Sequence, residues 1–152
     1  ICKLKGIKPN KANFSIVCYD LSHISDFTLN VSNACFKMMK RTLPGAFTFI
    51  LNANNIVSKI FGYNKHTIGI RVPDNNICRA IVDALGQPMI AASIKNEDTI
   101  LEYITDPLEI YEAYENIVDI VIDGGVGGNI ASTVIDFTGD EAVLVREGKG
   151  EL

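Results

Sequence analysis

The sequence predicts an α+β domain in which helices pack on a twisted, mixed β-sheet. Segments with the alternating polarity of strands and segments with helical spacing follow one another along the chain without strict repetition. The chain has 152 residues, of which 47% are hydrophobic and 21% are charged. These values are typical of one globular domain. We therefore expect residues 1–152 to form a single domain.

The first half of the chain is predicted to alternate strands and helices. Apolar side chains recur at helical spacing in 31–42, and Leu43-Pro44-Gly45 ends that helix because proline cannot continue it. In chain order, the pattern predicts a strand at 14–18, a helical turn capped by Asp20 and reaching Phe27, a helix at 31–42, a strand at 47–51 and a strand at 67–73.

The second half is predicted to continue this alternation. Asp74 is expected to cap a helix that Gly86 ends, since glycine readily adopts the left-handed conformation found after helices. The remaining predictions, in order, are a strand at 89–93, a loop or poorly ordered helix at 95–105, a helix capped by Asp106 and reaching about 116, a strand at 118–122, a glycine loop at 124–128, and strands at 132–137 and 142–146.

Arg71 is the most informative side chain of the predicted sheet. It lies among apolar neighbours just before Pro73. An uncompensated guanidinium is costly to bury, so Arg71 needs an anionic partner or open water. In the strand before it, Phe47 and Phe49 point to one side and Thr48 to the other. Together these segments predict an anion site at the end of a sheet.

The charges are distributed unevenly along the chain. Residues 1–80 contain 11 Lys and Arg against 3 Asp and no Glu, whereas residues 81–152 contain 3 Lys and Arg against 15 acidic residues. A basic half attracts the phosphates of a nucleotide or of a nucleic-acid backbone. The alternative, that the asymmetry is solvated surface with charge pairing between the two halves, stays open.

Several classes of site and location are disfavoured. The four cysteines form no C-x-x-C pair, and they are expected to be reduced core residues of a cytoplasmic protein without a metal site. His23 and His66 are isolated and are not expected to be catalytic. The loop at 124–128 lacks the Gly-Lys-(Ser/Thr) ending of a P-loop. No segment has the roughly 18 apolar residues that span a bilayer, and no leader-like segment opens the chain.

Six segments in order give the chain a resemblance to a known family. They are Lys3-Leu4-Lys5-Gly6-Ile7-Lys8-Pro9, Pro44-Gly45-Ala46-Phe47-Thr48, Gly69-Ile70-Arg71-Val72-Pro73, Gly86-Gln87-Pro88-Met89-Ile90-Ala91-Ala92-Ser93, Ser132-Thr133-Val134-Ile135-Asp136 and Val145-Arg146-Glu147-Gly148. The chain resembles the YrdC/YciO-like family, whose characterised members make L-threonylcarbamoyladenylate for tRNA modification. The flanking residues look closest to the YciO-like branch, and the resemblance implies that the N-terminal part of the family domain is missing here.

The resemblance implies a nucleotidyltransferase site that binds ATP with Mg²⁺, threonine and bicarbonate in a cavity of a YrdC-like fold. It implies catalytic roles for Lys5 and Arg71 and a substrate-side role for Thr48. The implied nucleotide contacts are Lys8, Ser93, Ser132, Thr133 and Arg146. Where the synthases read Lys-x-Arg, this chain reads Lys5-Gly6-Ile7 with Lys8 as the nearby substitute, and where they read Ser-Ala-Asn it reads Ser93-Ile94-Lys95.

Alternatives remain for the function and for individual residues. The basic half could instead grip phosphates of tRNA or double-stranded RNA, which would make the chain an RNA-binding module without synthase activity. Thr48 and the pair Ser132-Thr133 could be ordinary strand residues. Arg146 could pair with Glu147 or Asp136 at the surface.

Overall fold

A six-stranded mixed sheet organises the chain in the computed structural model, which describes residues 1–61, 64–94 and 103–152. The strands are β1 (Ser15–Val17), β2 (Phe47–Asn52), β3 (Thr67–Arg71), β4 (Met89–Ala91), β5 (Thr133–Asp136) and β6 (Val143–Arg146). Their order across the sheet is β4-β1-β3-β2-β5-β6. Two neighbouring pairs, β1 with β3 and β2 with β5, run parallel, and the other pairs run antiparallel. The predicted α+β class with a mixed sheet is confirmed.

The described residues also form helices between the strands. These are α1 (Asn33–Thr42), α2 (Asn55–Phe61), α3 (Asn76–Leu85) and α4 (Pro107–Tyr114), with short 3₁₀ turns at Pro9–Lys11 and Ile24–Asp26. Gly86 ends α3 with a φ of 64°, as its sequence position predicts. Asp106 caps α4 by accepting a hydrogen bond from the backbone N–H of Leu108.

The core lies on the face of the sheet that carries the phenylalanines of β2. Phe49 is fully buried there and packs near Met39 of α1 and Val57 of α2. Cys18 and Cys35 belong to the same cluster. Burial, with smaller effects from Asp20 and Asp26, raises the pKa of Cys18 to about 12, and burial raises that of Cys35 to about 11. Both are therefore neutral thiols in the core, as the sequence predicts.

One predicted strand is wrong and one helix was missed. Residues 118–122 form no strand, and Ile120 is 75% exposed. The apolar pattern of that segment suggested a strand, but the segment pairs with no neighbour, since β4 and β6 are the sheet edges. Helix α2 was not predicted from the sequence, because Asn55 and the β-branched side chains that follow it favour turns and strands over helices.

Two predicted caps are also corrected. Asn75, rather than Asp74, caps α3, because its side-chain oxygen accepts from the backbone N–H of Cys78 at 2.9 Å. Asp20 caps no helix, since its carboxylate accepts instead from the backbone N–H of Ser22. Of the predicted loop or helix at 95–105, residues 95–102 lie outside the described part of the chain. Within the described ranges, no helix is both long and apolar enough to cross a membrane.

Candidate functional site

A cavity of about 700 Å³ lies over the face of the sheet opposite the core. Strand side chains alternate between faces, so the polar positions of the central strands form its floor. The floor residues are Thr48 and Ile50 of β2, Thr67, Gly69 and Arg71 of β3, and Val134 and Asp136 of β5. The walls come from residues 13–15, 91–93, 128 and 130–132, and from Tyr103.

One end of this cavity, which we call the arginine end, carries Arg71 and Arg146 with the hydroxyls of Thr48 and Ser132. The pairing of Phe49 with Ile70 places Thr48 beside Arg71. Arg146 pairs with Val134 on the other side of β2. The sheet register therefore brings two cations from distant parts of the chain to one end of the floor.

The side chains of the arginine end form a hydrogen-bonded chain. Arg146 donates to the carbonyl oxygen of Ser132 through Nε at 3.1 Å and through Nη2 at 2.8 Å. Its Nη2 also lies 3.3 Å from Ser132 Oγ, which in turn lies 2.9 Å from Thr48 Oγ1. Arg146 makes no ion pair with Glu147 or Asp136. Among the described residues, an ion pair is formed between His23 and Asp26.

The guanidinium of Arg71 carries a buried donor that the rest of the described protein leaves unsatisfied. Its Nε is buried without a hydrogen-bond partner among the described residues. Burial lowers the pKa of Arg71 and the nearby Arg146 adds to this effect, while Cys78 opposes it. A desolvated guanidinium beside a second guanidinium is unfavourable unless an anion binds to it. This end of the cavity is therefore arranged to hold an anionic group.

The opposite end, which we call the lysine end, is built from Asn13, Lys65, Thr67 and Ser93. Ser15 pairs with Gly69 in the parallel strand β3 and with Ala91 in the antiparallel strand β4. Two residues beyond these pairs, Asn13, Thr67 and Ser93 therefore lie at the same end of the sheet. Lys65 Nζ donates to Ala12 O at 2.7 Å and to Asn13 Oδ1 at 3.2 Å, and burial lowers its pKa. Lys5, at the rim, donates from Nζ to Ser93 O at 2.6 Å.

The structure brings most of the sequence-predicted site residues to this cavity. Thr48, Arg71, Ser93, Ser132 and Arg146 line it, and Lys5 reaches its rim through Ser93. Three predicted residues, Lys5, Lys8 and Thr133, are not part of the lining itself.

Lys8 is exposed outside the cavity lining. Thr133 lies on the core face, 1% exposed, where its hydroxyl donates to Gly150 O at 2.7 Å and accepts from the backbone N–H of Gly148 at 3.0 Å. The hydroxyl of Thr133 thus already has its partners within the protein.

Several lining residues were not predicted from the sequence. These are Asn13, Lys65, Thr67, Tyr103 and Asp136. Lys65 stands just before a strand and reads as a surface lysine, and only the alternation of Thr67, Gly69 and Arg71 could have suggested that this end of β3 faces the same cavity.

Few other groups of the site could act in proton transfer or metal binding. The carboxylate of Asp136 lines the cavity and accepts from the backbone N–H of Thr138 at 2.7 Å. His23 and His66 are absent from the lining. Over the described ranges, no cluster of three His, Cys, Asp or Glu side chains could hold a metal ion. The arrangement can neutralise and align an anion with guanidinium, ammonium and hydroxyl groups.

Comparison with known proteins places these features in a family. A family model described as Sua5/YciO/YrdC, telomere recombination, matches residues 1–148. YciO of Escherichia coli K12 is 40% identical over 154 residues, which cover 100% of this chain and 73% of that protein. The threonylcarbamoyl-AMP synthase of Bacillus subtilis strain 168 is 29% identical over 153 residues, which cover 97% of this chain and 42% of that protein.

Solved structures agree with this assignment. The crystal structure of E. coli YciO matches with a TM-score of 0.86 at 39% identity, over 99% of this chain and 72% of that chain. The crystal structure of P. abyssi Sua5 complexed with L-threonine has a TM-score of 0.82 at 24% identity, over 97% of this chain and 43% of that chain, which is a likeness of fold. Sequence and fold thus agree over nearly the entire chain, and the protein belongs to the Sua5/YciO/YrdC family.

Proposed function

We propose that the cavity binds ATP and that the protein forms an acyl-adenylate from ATP, bicarbonate and L-threonine for tRNA modification. The observation that carries this proposal is the arginine end, where the buried Nε of Arg71 lacks a partner in the described residues and Arg146 adds a second positive charge. A phosphate supplies the anionic oxygens that two guanidinium groups require. Mg²⁺ would enter the cavity bound to the phosphates of the nucleotide.

The proposed reaction needs little proton transfer. A carbamate formed from threonine and bicarbonate attacks the α-phosphorus of ATP, so a carbamate oxygen–phosphorus bond forms while the bond to magnesium-bound pyrophosphate breaks. The nucleophile is already an anion, and catalysis then consists of alignment and of neutralising charge on the phosphoryl oxygens. Arg71, Arg146 and the hydroxyls of Thr48 and Ser132 supply those functions without a histidine.

The relatives support the choice of substrates. The B. subtilis relative is named a threonylcarbamoyl-AMP synthase, and the P. abyssi Sua5 structure contains L-threonine. The purified protein should release pyrophosphate when given ATP, Mg²⁺, threonine and bicarbonate. Release that does not exceed a control without threonine would reject the threonine-dependent reaction, and titration calorimetry with ATP would then show whether nucleotide binding stands by itself.

A second candidate function rests on the lysines near the N-terminus. Lys3, Lys8 and Lys11 are exposed close to the 3₁₀ turn at Pro9–Lys11. Exposed lysines can contact the phosphates of tRNA or double-stranded RNA. Binding to tRNA that weakens steeply as salt is added would support this function, whereas salt-independent or undetectable binding would reject it.

A further inference from the structure

Lys65 lies at the end of the cavity opposite the two arginines. It stands two residues before Thr67, and Thr67 lies on the same face of β3 as Arg71, four residues away. At about 3.3 Å per strand residue, the two ends of the floor are about 13 Å apart. Ile50 and Gly69 form the floor between them. The cavity therefore has two separate cationic ends.

Among the described residues, the ammonium group of Lys65 has neutral hydrogen-bond partners. Its Nζ donates to the backbone oxygen of Ala12 and to the side-chain amide oxygen of Asn13. In the parts of the chain that the structure describes, no carboxylate lies within 4.0 Å of Nζ. An ammonium group has three donors, and these contacts use two. The third N–H and the uncompensated charge are available to a ligand in the cavity.

The surroundings of Lys65 favour an anion over a neutral group. Burial lowers the pKa of Lys65, because desolvation disfavours its charged form. A bound anion would stabilise the charged form and raise the pKa again. A second cation, Lys5, donates to Ser93 O, and Ser93 lines the cavity at the same end. The cavity also contains one carboxylate among its described lining residues, that of Asp136. Asp136 belongs to β5, two strands away from β3, and its carboxylate accepts a hydrogen bond from the backbone N–H of Thr138.

We propose that Lys65 binds a second anionic group of the ligand, so that the cavity takes a molecule with anionic groups at both of its ends. This inference rests on the proposed function, which places a phosphate in the same cavity. The shared chemistry is a cluster of anionic oxygens. Two parts of the proposed reactants could supply it, the terminal phosphate of ATP or a carboxylate on the acyl group.

Titration calorimetry with matched probes tests this role. The first pair of probes is Mg-ATP and AMP, which differ in the terminal phosphates. The second pair is the adenosine 5′-phosphoramidates of glycine and of glycinamide, which differ in one carboxylate. Lys65→Met should weaken binding of ATP, or of the glycine compound, by about tenfold or more, because a hydrogen bond between charged groups is lost. Binding of AMP and of the glycinamide compound should not change.

Three further variants make the result interpretable. Lys59→Met removes an exposed lysine of α2 that does not line the cavity, and it should bind every probe like the wild type. Lys65→Arg keeps the charge and should keep most of the affinity for the two-anion probes. Lys65→Gln can still donate to Ala12 O, and it replaces Lys65→Met if that variant fails to fold.

The outcomes separate this inference from the proposed function. A selective loss for ATP identifies the terminal phosphate as the second anion, and a selective loss for the glycine compound identifies a carboxylate. Equal losses of affinity within both pairs, or no loss at all, would overturn the inference. Lys65 would then have a structural role, which is to hold the segment at 12–13 by hydrogen bonds. A wild-type protein that binds none of the four probes would reject the proposed function itself, and the role of Lys65 with it.

Discussion

The hydroxyl of Thr48 lies 2.9 Å from that of Ser132, although the two residues are 84 positions apart in the chain. Arg146 Nη2 donates to Ser132 Oγ, and within the pair of hydroxyls either oxygen can be the donor. The hydroxyl of Thr48 can therefore act toward a ligand in the cavity as an acceptor or, when Ser132 is the donor within the pair, as a donor. A surface arginine and a strand-end serine thereby orient a hydroxyl on the cavity floor.

Thr48→Val should weaken ATP binding about threefold to tenfold, because it removes this hydroxyl while keeping the shape of the side chain. Titration calorimetry measures the change. Thr42→Val is the matched control, since the hydroxyl of Thr42 bonds to Met38 O within α1 and lies outside the cavity. Equal affinities for Thr48→Val and the wild type would show that Thr48 is only a strand residue.

Arg71→Met should separate binding from stability. Loss of the guanidinium should weaken ATP binding by about tenfold or more. The free energy of unfolding should stay constant or rise, because a buried and poorly compensated charge is removed. Urea denaturation and calorimetry measure the two quantities, with Arg41→Met at the exposed end of α1 as the control. A marked fall in stability would mean that the charge of Arg71 is already compensated in the folded protein.

The sequence was sufficient to predict which face of the central strands is polar. Alternation in β2 separates Phe47 and Phe49 from Thr48, because strand side chains alternate between faces, and the apolar neighbours of Arg71 in the sequence predict that its charge needs an anion or open water. The mixed sheet followed from the order of strands and helices. Such patterns depend on residues that are close in the sequence, so they can be recognised without knowing which strands pair.

The sequence could not predict contacts that depend on strand order. The approach of Thr48 to Ser132 follows from the parallel pairing of β2 with β5, which no local pattern encodes. The position of Lys65 depends on the segment at 12–13 that accepts its hydrogen bonds. Residues 118–122 were predicted as a strand from a local apolar pattern, but they form none, because no neighbouring strand pairs with them.

Gly69→Ala should reduce ligand affinity at a modest cost in stability. A Cβ at this position would lie 3.2 Å from Thr48 Cγ2 and 3.3 Å from Ser15 Cβ, so the neighbours must shift and the floor of the cavity rises. Gly139→Ala is the control, because its Cβ would meet no atom within 4 Å. ATP affinity that is unchanged in Gly69→Ala would show that the ligand does not rest on β3.

Thr133→Val should lower stability without affecting ATP binding. The backbone N–H of Gly148 loses its acceptor and Gly150 O loses a donor, which should reduce the free energy of unfolding by about 1 kcal/mol or more. Urea denaturation and calorimetry on the same sample measure both quantities. A loss of ATP affinity with unchanged stability would restore the nucleotide-binding role that the sequence predicted for Thr133.

Stability should fall as the pH rises above about 9, because two buried thiols resist ionisation in the folded state. The pKa is raised from 9.0 to about 12 for Cys18 and to about 11 for Cys35. The stability due to each neutral thiol is complete below the unfolded pKa and is lost as pH rises toward the folded pKa, by about 1.4 kcal/mol per pH unit for each group. Urea unfolding at pH 8 and pH 10 measures this loss. The double variant Cys18→Ala, Cys35→Ala should show a weaker pH dependence, whereas Cys2→Ala, Cys78→Ala should follow the wild type; identical slopes in all three proteins would mean that other groups cause the decline.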